Sequence, residues 1–290
     1  MLPEFDLHVP ATLSEALEVM AEVHDVIPLA GGTSLLVDLR SGRRRAGTLM
    51  DVGRLAELRG VHEEDGHVLV GATTTIAELL RDPLVAEHGG VLRDACRLFA
   101  APPVRNRATV GGNLADASPA ADAAPPLLVL DAEVLLKRRD GMRRIPLSHF
   151  FTGVRETIRR PDELLLGIRF PKPFRGTGFR YKKLGLRKAD AISVLSVAAT
   201  AGRWPDGEYG PVRIALGAVA PTPIRVPDAE ACLSGRPLTE DAIAEAARLC
   251  GEATRAIDDV RGSAAYRRRA VEAIVRRLLR ELADGTMEET

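Results

Sequence analysis

Two glycine pairs in the 290-residue sequence, Gly31-Gly32 and Gly111-Gly112, have the residue type needed to hold an anion. Without a Cβ, a glycine lets the backbone turn sharply and bring N–H groups close to phosphate oxygens. Thr33 and Ser34 follow the first pair, while Thr109 and Asn113 bracket the second, so further donors stand beside each. Taken singly, either pair also fits an ordinary turn. Together they suit a diphosphate, whose two charges spread over several oxygens and gain from donors on both sides. Neither pair belongs to a G-x-G-x-x-G fingerprint or a G-x-x-x-x-G-K-S/T loop. From Ala115 to Ala124 nearly every residue is small, which leaves room beside a flat ring. Ser118 and Asp122 lie in that run. Asp122 could accept from a ribityl or ribose hydroxyl, and it equally fits a helix cap or a solvated loop acid.

These residues need elements to position them. Thr12-Leu-Ser-Glu15 reads as a capping box, and Leu13, Ala16, Leu17, Met20 and Val23 then recur at helical spacing. Val26–Ala30 is a short apolar strand closed by the first glycine pair, and Leu49–Val52 is another, so the N-terminal segment forms a small α/β unit. His67–Ala72 reads as a strand, Thr75–Glu78 opens a second capped helix, and the helical stretch Val91–Phe99 must end before Pro102-Pro103. Val104–Asn113 is expected as an extended polar loop, and Leu127–Leu136 and Leu164–Phe170 as strands. Pro171–Gly178, dense in proline and glycine, reads as a linker.

Beyond it the pattern changes. Phe179–Leu184, Ala191–Ala201 and Val212–Val219 read as strands, and helices begin at Thr239 and Ser263. The last helix places Val271, Ile274, Val275, Leu278 and Leu282 on one face. Arg267–Arg269, Arg276, Arg277 and Arg280 cover the remainder, either as a solvated surface or toward a partner. A few strands followed by two long helices make an α+β domain.

Forty basic residues balance forty acidic ones, so no net field draws the chain to nucleic acid. No apolar run approaches the roughly 20 residues of a membrane span. Glu4 and Asp6 stand where a secretory signal needs a basic start, so a cytoplasmic location is expected. Cys96, Cys232 and Cys250 are far apart and form no CxxC pair, and the six histidines offer no HExxH spacing. The chain therefore cannot supply the four thiolates of an iron–sulfur cluster, and any redox metal is expected on another chain. The cysteines read as buried thiols.

Five segments, in this order, carry a resemblance: Ala30-Gly-Gly-Thr-Ser-Leu35, Ala108-Thr-Val-Gly-Gly-Asn-Leu114, Ala117-Ser-Pro-Ala-Ala-Asp122, Phe179-Arg-Tyr-Lys-Lys-Leu-Gly185 and Val260-Arg-Gly-Ser-Ala-Ala-Tyr-Arg-Arg268. The sequence resembles the FAD-binding medium subunits of molybdenum hydroxylases, which include the flavin subunits of xanthine dehydrogenase and aerobic carbon monoxide dehydrogenase. The resemblance covers roughly residues 3 to 284. It implies an α+β chain with a two-subdomain FAD-binding domain of the vanillyl-alcohol-oxidase (PCMH) type over residues 1–174, divided near residue 53. A smaller α+β C-terminal domain of the CO dehydrogenase flavoprotein type then spans 178–284.

Carried over residue by residue, the resemblance implies that Pro28, Leu29, Ala30, Gly31, Gly32, Thr33, Ser34 and Leu35 wrap the pyrophosphate. Thr109, Gly111, Gly112 and Asn113 form a second phosphate-side loop. Asp122 faces ribityl or nearby flavin atoms with Ser118 as a second candidate, Leu165 packs near the ring, and Lys182, rather than Lys183, contacts the cofactor. Phe99 matches an aromatic position near the cofactor but fits a core equally well, and Arg187–Ile192 matches a loop over the flavin. The three scattered cysteines exclude the branch with a cluster-binding insertion. Thr33 and Ser34 stand where related folds attach FAD through histidine, so FAD is expected to be non-covalent.

The implied function is electron transfer. Substrate is hydroxylated at a molybdenum cofactor on a large partner subunit. Electrons cross 2Fe-2S clusters on a small partner subunit, reach this FAD, and pass to NAD+, oxygen or a quinone. The competing reading is a self-sufficient flavin oxidase, which usually carries a larger substrate domain rich in aromatic or histidine groups. A third is a non-catalytic nucleotide-binding module.

Overall fold

The computed structural model describes residues 2–187, 190–204 and 208–285. Lys188 and Ala189, part of the segment expected over the flavin, lie outside the described residues. The N-terminal elements are β1 (Asp6–His8), α1 (Leu13–Glu22), β2 (Val26–Leu29), α2 (Leu35–Arg40) and β3 (Thr48–Asp51). The three strands form a parallel sheet in the order β1-β3-β2. Thr12 caps α1 by accepting from the Glu15 N–H, while Glu15 reaches back to the Ala11 N–H instead of completing the box at Thr12. The buried stripe Ala16, Leu17 and Met20 then packs against Val26 and Met50. The first glycine pair leaves the end of β2, where the sheet delivers it.

The middle of the chain holds β4 (Val61–Glu64), β5 (His67–Gly71), α3 (Ile76–Arg81), α4 (Pro83–His88), α5 (Gly90–Leu98), α6 (Pro102–Arg105), α7 (Val110–Ala115) and α8 (Ala124–Val129). Strands β6 (Glu133–Arg138), β7 (Gly141–Pro146), β8 (Phe151–Gly153), β9 (Glu156–Thr157) and β10 (Leu164–Pro171) follow. An antiparallel five-stranded sheet runs β4-β5-β10-β6-β7. Thr75 and Glu78 form a complete capping box on α3.

Two expectations are corrected here. Val104–Asn113 is not an extended loop: Pro102 occupies the first turn of α6, where its missing N–H costs nothing, and Thr109 caps α7 through the Gly112 N–H. The second glycine pair therefore lies inside a helix's first turn. Leu127–Leu136 is not one strand either. Pro125 and Pro126 open α8, Asp131 turns with φ +51°, and only Glu133 onward is extended.

The C-terminal elements are β11 (Thr177–Gly185), β12 (Ser193–Arg203), β13 (Tyr209–Gly217), β14 (Ile224–Arg225), α9 (Pro227–Ala231), α10 (Glu240–Glu252) and α11 (Ala264–Ala283). The antiparallel sheet β11-β12-β13-β14 is covered on both faces, which is why β12 reads as nearly continuous small and apolar residues. Val197, Ala199 and Ala201 face α10 and α11, while Tyr181, Ala198 and Ala215 share the core of the preceding unit with α5 and α8. Arg267, expected on the solvated side of α11, is 2% exposed. Its guanidinium pairs with Asp259 and donates to the Ala218 carbonyl, so it crosses the core and never reaches water. Among the described residues no helix is long and apolar enough to cross a membrane.

Candidate cofactor-binding site

A cleft of about 440 Å³ runs between the N-terminal parallel sheet, α7 and the loop before β12. Pro28, Leu29, Ala30, Gly31, Gly32, Thr33, Ser34 and Leu35 all line it. So do Thr109, Gly111, Gly112, Asn113, Ser118, Asp122 and Leu165, with Phe99 beside them. Lys182 does not.

The first glycine pair packs against the backbone that leads into α7. A Cβ on Gly31 would sit 1.9 Å from the Arg107 carbonyl oxygen, and Gly32 takes the left-handed conformation at φ +73°. The roles of the two pairs differ. Among the described residues, the N–H groups of Gly31, Gly32, Thr33 and Ser34 donate to no acceptor in the protein. Four such donors on one loop suit an anion. In α7 the equivalent groups are already used: Val110 N–H donates to Thr74 O (3.0 Å), Gly111 N–H to Ala72 O (2.9 Å) and Gly112 N–H to Thr109 Oγ1 (3.1 Å). Gly111 also has no room for a side chain, since a Cβ would lie 2.6 Å from that of Ala72. Gly112 differs again. Its Cβ would meet only Thr109 Oγ1, so the missing side chain leaves open space in the cleft wall.

Ser34 Oγ donates to Asp116 Oδ1 (3.0 Å), leaving only the Thr33 hydroxyl of that pair for a ligand. Arg155 bridges Asp116 and Asp38 at 2.9 Å each, and Arg43 also pairs with Asp38 (2.8 Å). This network ties α2 to the end of α7. Arg44, Asp116, Arg155 and Arg159 line the cleft as well, and the sequence reading missed all four. In the sequence Arg44 is one of three consecutive arginines, Arg43–Arg45, with nothing to single it out. Arg155 lies between two short strands that carry no pattern, at φ +60°.

Asp122 lines the same cleft. It is 8% exposed, and each carboxylate oxygen is held by the C-terminal domain. Lys183 Nζ donates to Oδ2 at 2.6 Å, and Ser193 Oγ donates to Oδ1 at 2.7 Å. Lys183 also donates to the Leu98 carbonyl (3.1 Å). Burial raises the Asp122 pKa above the usual carboxylate value, with Lys183 and Ser193 opposing that rise. Of the two lysines it is Lys183 that reaches Asp122, and neither lines the cleft. Side chains alternate along β11, so Tyr181 and Lys183 point toward α5 and Asp122 while Lys182 is exposed. Close by, burial pushes the Cys96 thiol up to about 12, which makes it inert.

Part of the cleft wall is apolar. Leu164 and Leu165 enter from β10, where an irregular register before Gly167 offsets them from the β6 ladder. Asp190, Ala191 and Ile192, from the loop expected over the flavin, also line the cleft. Free N–H donors, a buried carboxylate and apolar walls in one cleft fit the pyrophosphate, ribityl chain and ring of FAD.

Fold and cleft together define a flavin-nucleotide-binding subunit. Residues 3–173 match the family model for the FAD binding domain in molybdopterin dehydrogenase, and residues 179–282 match that for the CO dehydrogenase flavoprotein C-terminal domain. The chain is 32% identical over 278 residues to the carbon monoxide dehydrogenase medium chain of Hydrogenophaga pseudoflava, with 96% of each covered. It is 36% identical over 243 residues to the xanthine dehydrogenase FAD-binding subunit of Escherichia coli O157:H7, covering 82% of this chain and 83% of that one. A solved structure of the H. pseudoflava carbon monoxide dehydrogenase, lacking the Mo-pyranopterin moiety, matches with a TM-score of 0.92 at 33% identity over 96% of each chain. Quinoline 2-oxidoreductase from Pseudomonas putida 86 matches at 0.91 and 29% identity, covering 98% and 99%. The chain belongs to the FAD-binding subunit family of the molybdenum hydroxylases, and is an oxidoreductase subunit.

Proposed function

We propose that the chain is the electron-transfer subunit of its complex. In this reading a large partner subunit hydroxylates the substrate at its molybdenum cofactor, and a small partner subunit supplies electrons through 2Fe-2S clusters. FAD, when bound, accepts electrons singly and gives them up as a pair, here to NAD+, oxygen or a quinone. This chain's residues supply position and access. The Gly31–Ser34 donors would hold the pyrophosphate between Pro28 and Leu35, with Thr109, Gly111, Gly112 and Asn113 as the facing wall. Asp122 would accept from a ribityl hydroxyl beside Ser118, and Leu165 would exclude water from the ring. Lys183, through Asp122, would join a C-terminal domain over residues 178–284 to the cofactor domain over 1–174.

The observation that carries this reading is the row of free N–H groups opening into a cleft lined, among the described residues, by no histidine, cysteine or tyrosine. Such a lining binds a nucleotide but offers few groups for substrate chemistry. Relatives named for carbon monoxide, nicotinate, nicotine and glyceraldehyde support the view that substrate choice lies on another chain. The test is anaerobic reduction of the FAD-loaded chain. Aldehydes and N-heterocycles should bleach the flavin only after the two partner subunits are added. Bleaching by a substrate alone would establish an oxidase, and failure to bind FAD would overturn both readings.

A further inference from the structure

A second cavity, of about 250 Å³, lies on the far side of β12 from α10 and α11. Phe179, Thr200 and Arg213 are direct cross-strand neighbours on β11, β12 and β13, so they share one face of the sheet. Toward the flavin cleft that face is sealed, because Tyr181, Ala198 and Ala215 pack into the core with α5 and α8. One step outward the seal fails. The next residue of β12 on this face is Gly202, which has no side chain to reach the connector Pro171–Phe174.

The floor of the gap carries a polar group with nothing to bind. Thr200 is 2% exposed, and its hydroxyl has no hydrogen-bond partner. A buried hydroxyl without a partner costs free energy that a valine of the same shape would avoid. Flat apolar groups make up much of the wall: the half-buried Phe179, the exposed Phe174 and Trp204, and Pro173 and Pro211. At the rim, Lys172 and Arg213 are paired with Glu63 and Asp131, so the opening has no spare positive charge for an anion.

We propose that this cavity is a second binding site, for a planar aromatic heterocycle bearing one polar group that meets the Thr200 hydroxyl. Aromatic and proline surfaces favour a flat ring over an aliphatic chain, and a single buried hydroxyl selects a single polar substituent. The occupant would touch Pro173 of the connector and Thr200 of the C-terminal sheet together. It would therefore bridge the two halves of the chain. The inference stands on cavity geometry and is independent of the flavin reading.

Trp204 is the chain's single tryptophan, which provides a reporter on the cavity wall. The FAD-loaded full chain, labelled with 5-fluorotryptophan, is titrated with oxindole while its one 19F resonance is followed. A saturable shift is expected, and 2-piperidone, the non-aromatic lactam, should bind about tenfold more weakly. At Gly202 a Cβ would meet Thr177 Oγ1 at 3.5 Å and Phe174 Cδ1 at 3.8 Å, ordinary contacts, so Gly202→Val should fold, keep FAD and abolish the shift. Thr200→Val, which keeps the shape and removes the hydroxyl, should weaken oxindole about tenfold. No saturable shift in the natural chain would mean that the gap holds water only, and would overturn the proposal. Unchanged binding in both variants, or equal binding of the two lactams, would overturn it as well.

Discussion

The ammonium of Lys183 lies 2.6 Å from Oδ2 of Asp122, and both side chains are almost wholly withdrawn from solvent. The pair joins the first strand of the C-terminal sheet to the wall of the cofactor cleft. Removing one partner of such a pair leaves an uncompensated buried charge, which costs about 3 kcal/mol. Lys183→Met should lose about that much stability and weaken FAD binding, whereas Lys182→Met should stay within about 0.5 kcal/mol of the natural chain. Urea unfolding and FAD titration of both variants measure this. Equal effects would show that Lys183 does not act through Asp122, and the Lys183→Met/Asp122→Asn double variant would isolate the coupling.

The same pair sets a pH dependence. Burial raises the Asp122 pKa above the unfolded value of about 3.9, so the folded chain holds this proton more tightly than the unfolded chain does. The contribution of Asp122 to stability is therefore complete below about pH 3.9 and is lost as pH rises through its folded value. Lys183 opposes the rise, so Lys183→Met should extend this loss to higher pH and steepen it. Asp122→Asn should remove it. Thermal midpoints followed from acid to neutral pH report the difference between variants. Parallel curves for all three chains would show that Asp122 is not the titrating group.

The glycines separate cofactor binding from folding. Gly31→Ala would drive a Cβ into the Arg107 backbone, and Gly111→Ala would drive one into Ala72. Both should cost about 1–3 kcal/mol as overpacking, and lose FAD through displaced loops. Gly112→Val should behave differently. Its side chain disturbs the Thr109 cap, worth about 1 kcal/mol, and otherwise projects into the cleft. FAD affinity should fall at least about tenfold with a small loss of stability. Calorimetry of FAD binding, set beside unfolding curves, reads both quantities. Full affinity in Gly112→Val would remove α7 from the cofactor site.

What could be read in the sequence followed from local rules. Thr75–Glu78 and Thr239 are caps whose chemistry depends on residues three positions away, and the helices they start are where expected. The turn at the first glycine pair is also legible, because its conformation rests on its own backbone. The second was misjudged as a loop. Gly111 is there to let α7 touch Ala72, a contact across 39 positions that no local pattern encodes. The motif favours Lys182 over Lys183, but it does not say which of them reaches Asp122. Only the register of β11 against β12 decides which one faces Asp122, and register is a tertiary property. Arg267 looked like a solvated helix residue until its partners Asp259 and Ala218 were in place.

That last arrangement makes a separate prediction. Asp259 accepts from both Arg261 and Arg267, and Arg261 in turn donates to the Ser193 carbonyl at 3.0 Å. One carboxylate therefore neutralises a buried guanidinium and anchors the strand whose Ser193 hydroxyl holds Asp122. The hydrogen bond from Arg261, together with that from Arg267, keeps the Asp259 pKa far below the usual range. Its contribution to stability is present above the unfolded value of about 3.9 and is lost as pH falls toward the depressed folded value. This slope is opposite in sign to that of Asp122. Asp259→Ala should leave Arg267 buried without its counter-charge and cost about 3 kcal/mol at neutral pH. The penalty should shrink on acidification, when the natural chain loses the same interaction. Unfolding free energies of the two chains, compared across acid pH, decide the matter. A penalty that stays constant would assign Asp259 a packing role and no electrostatic one.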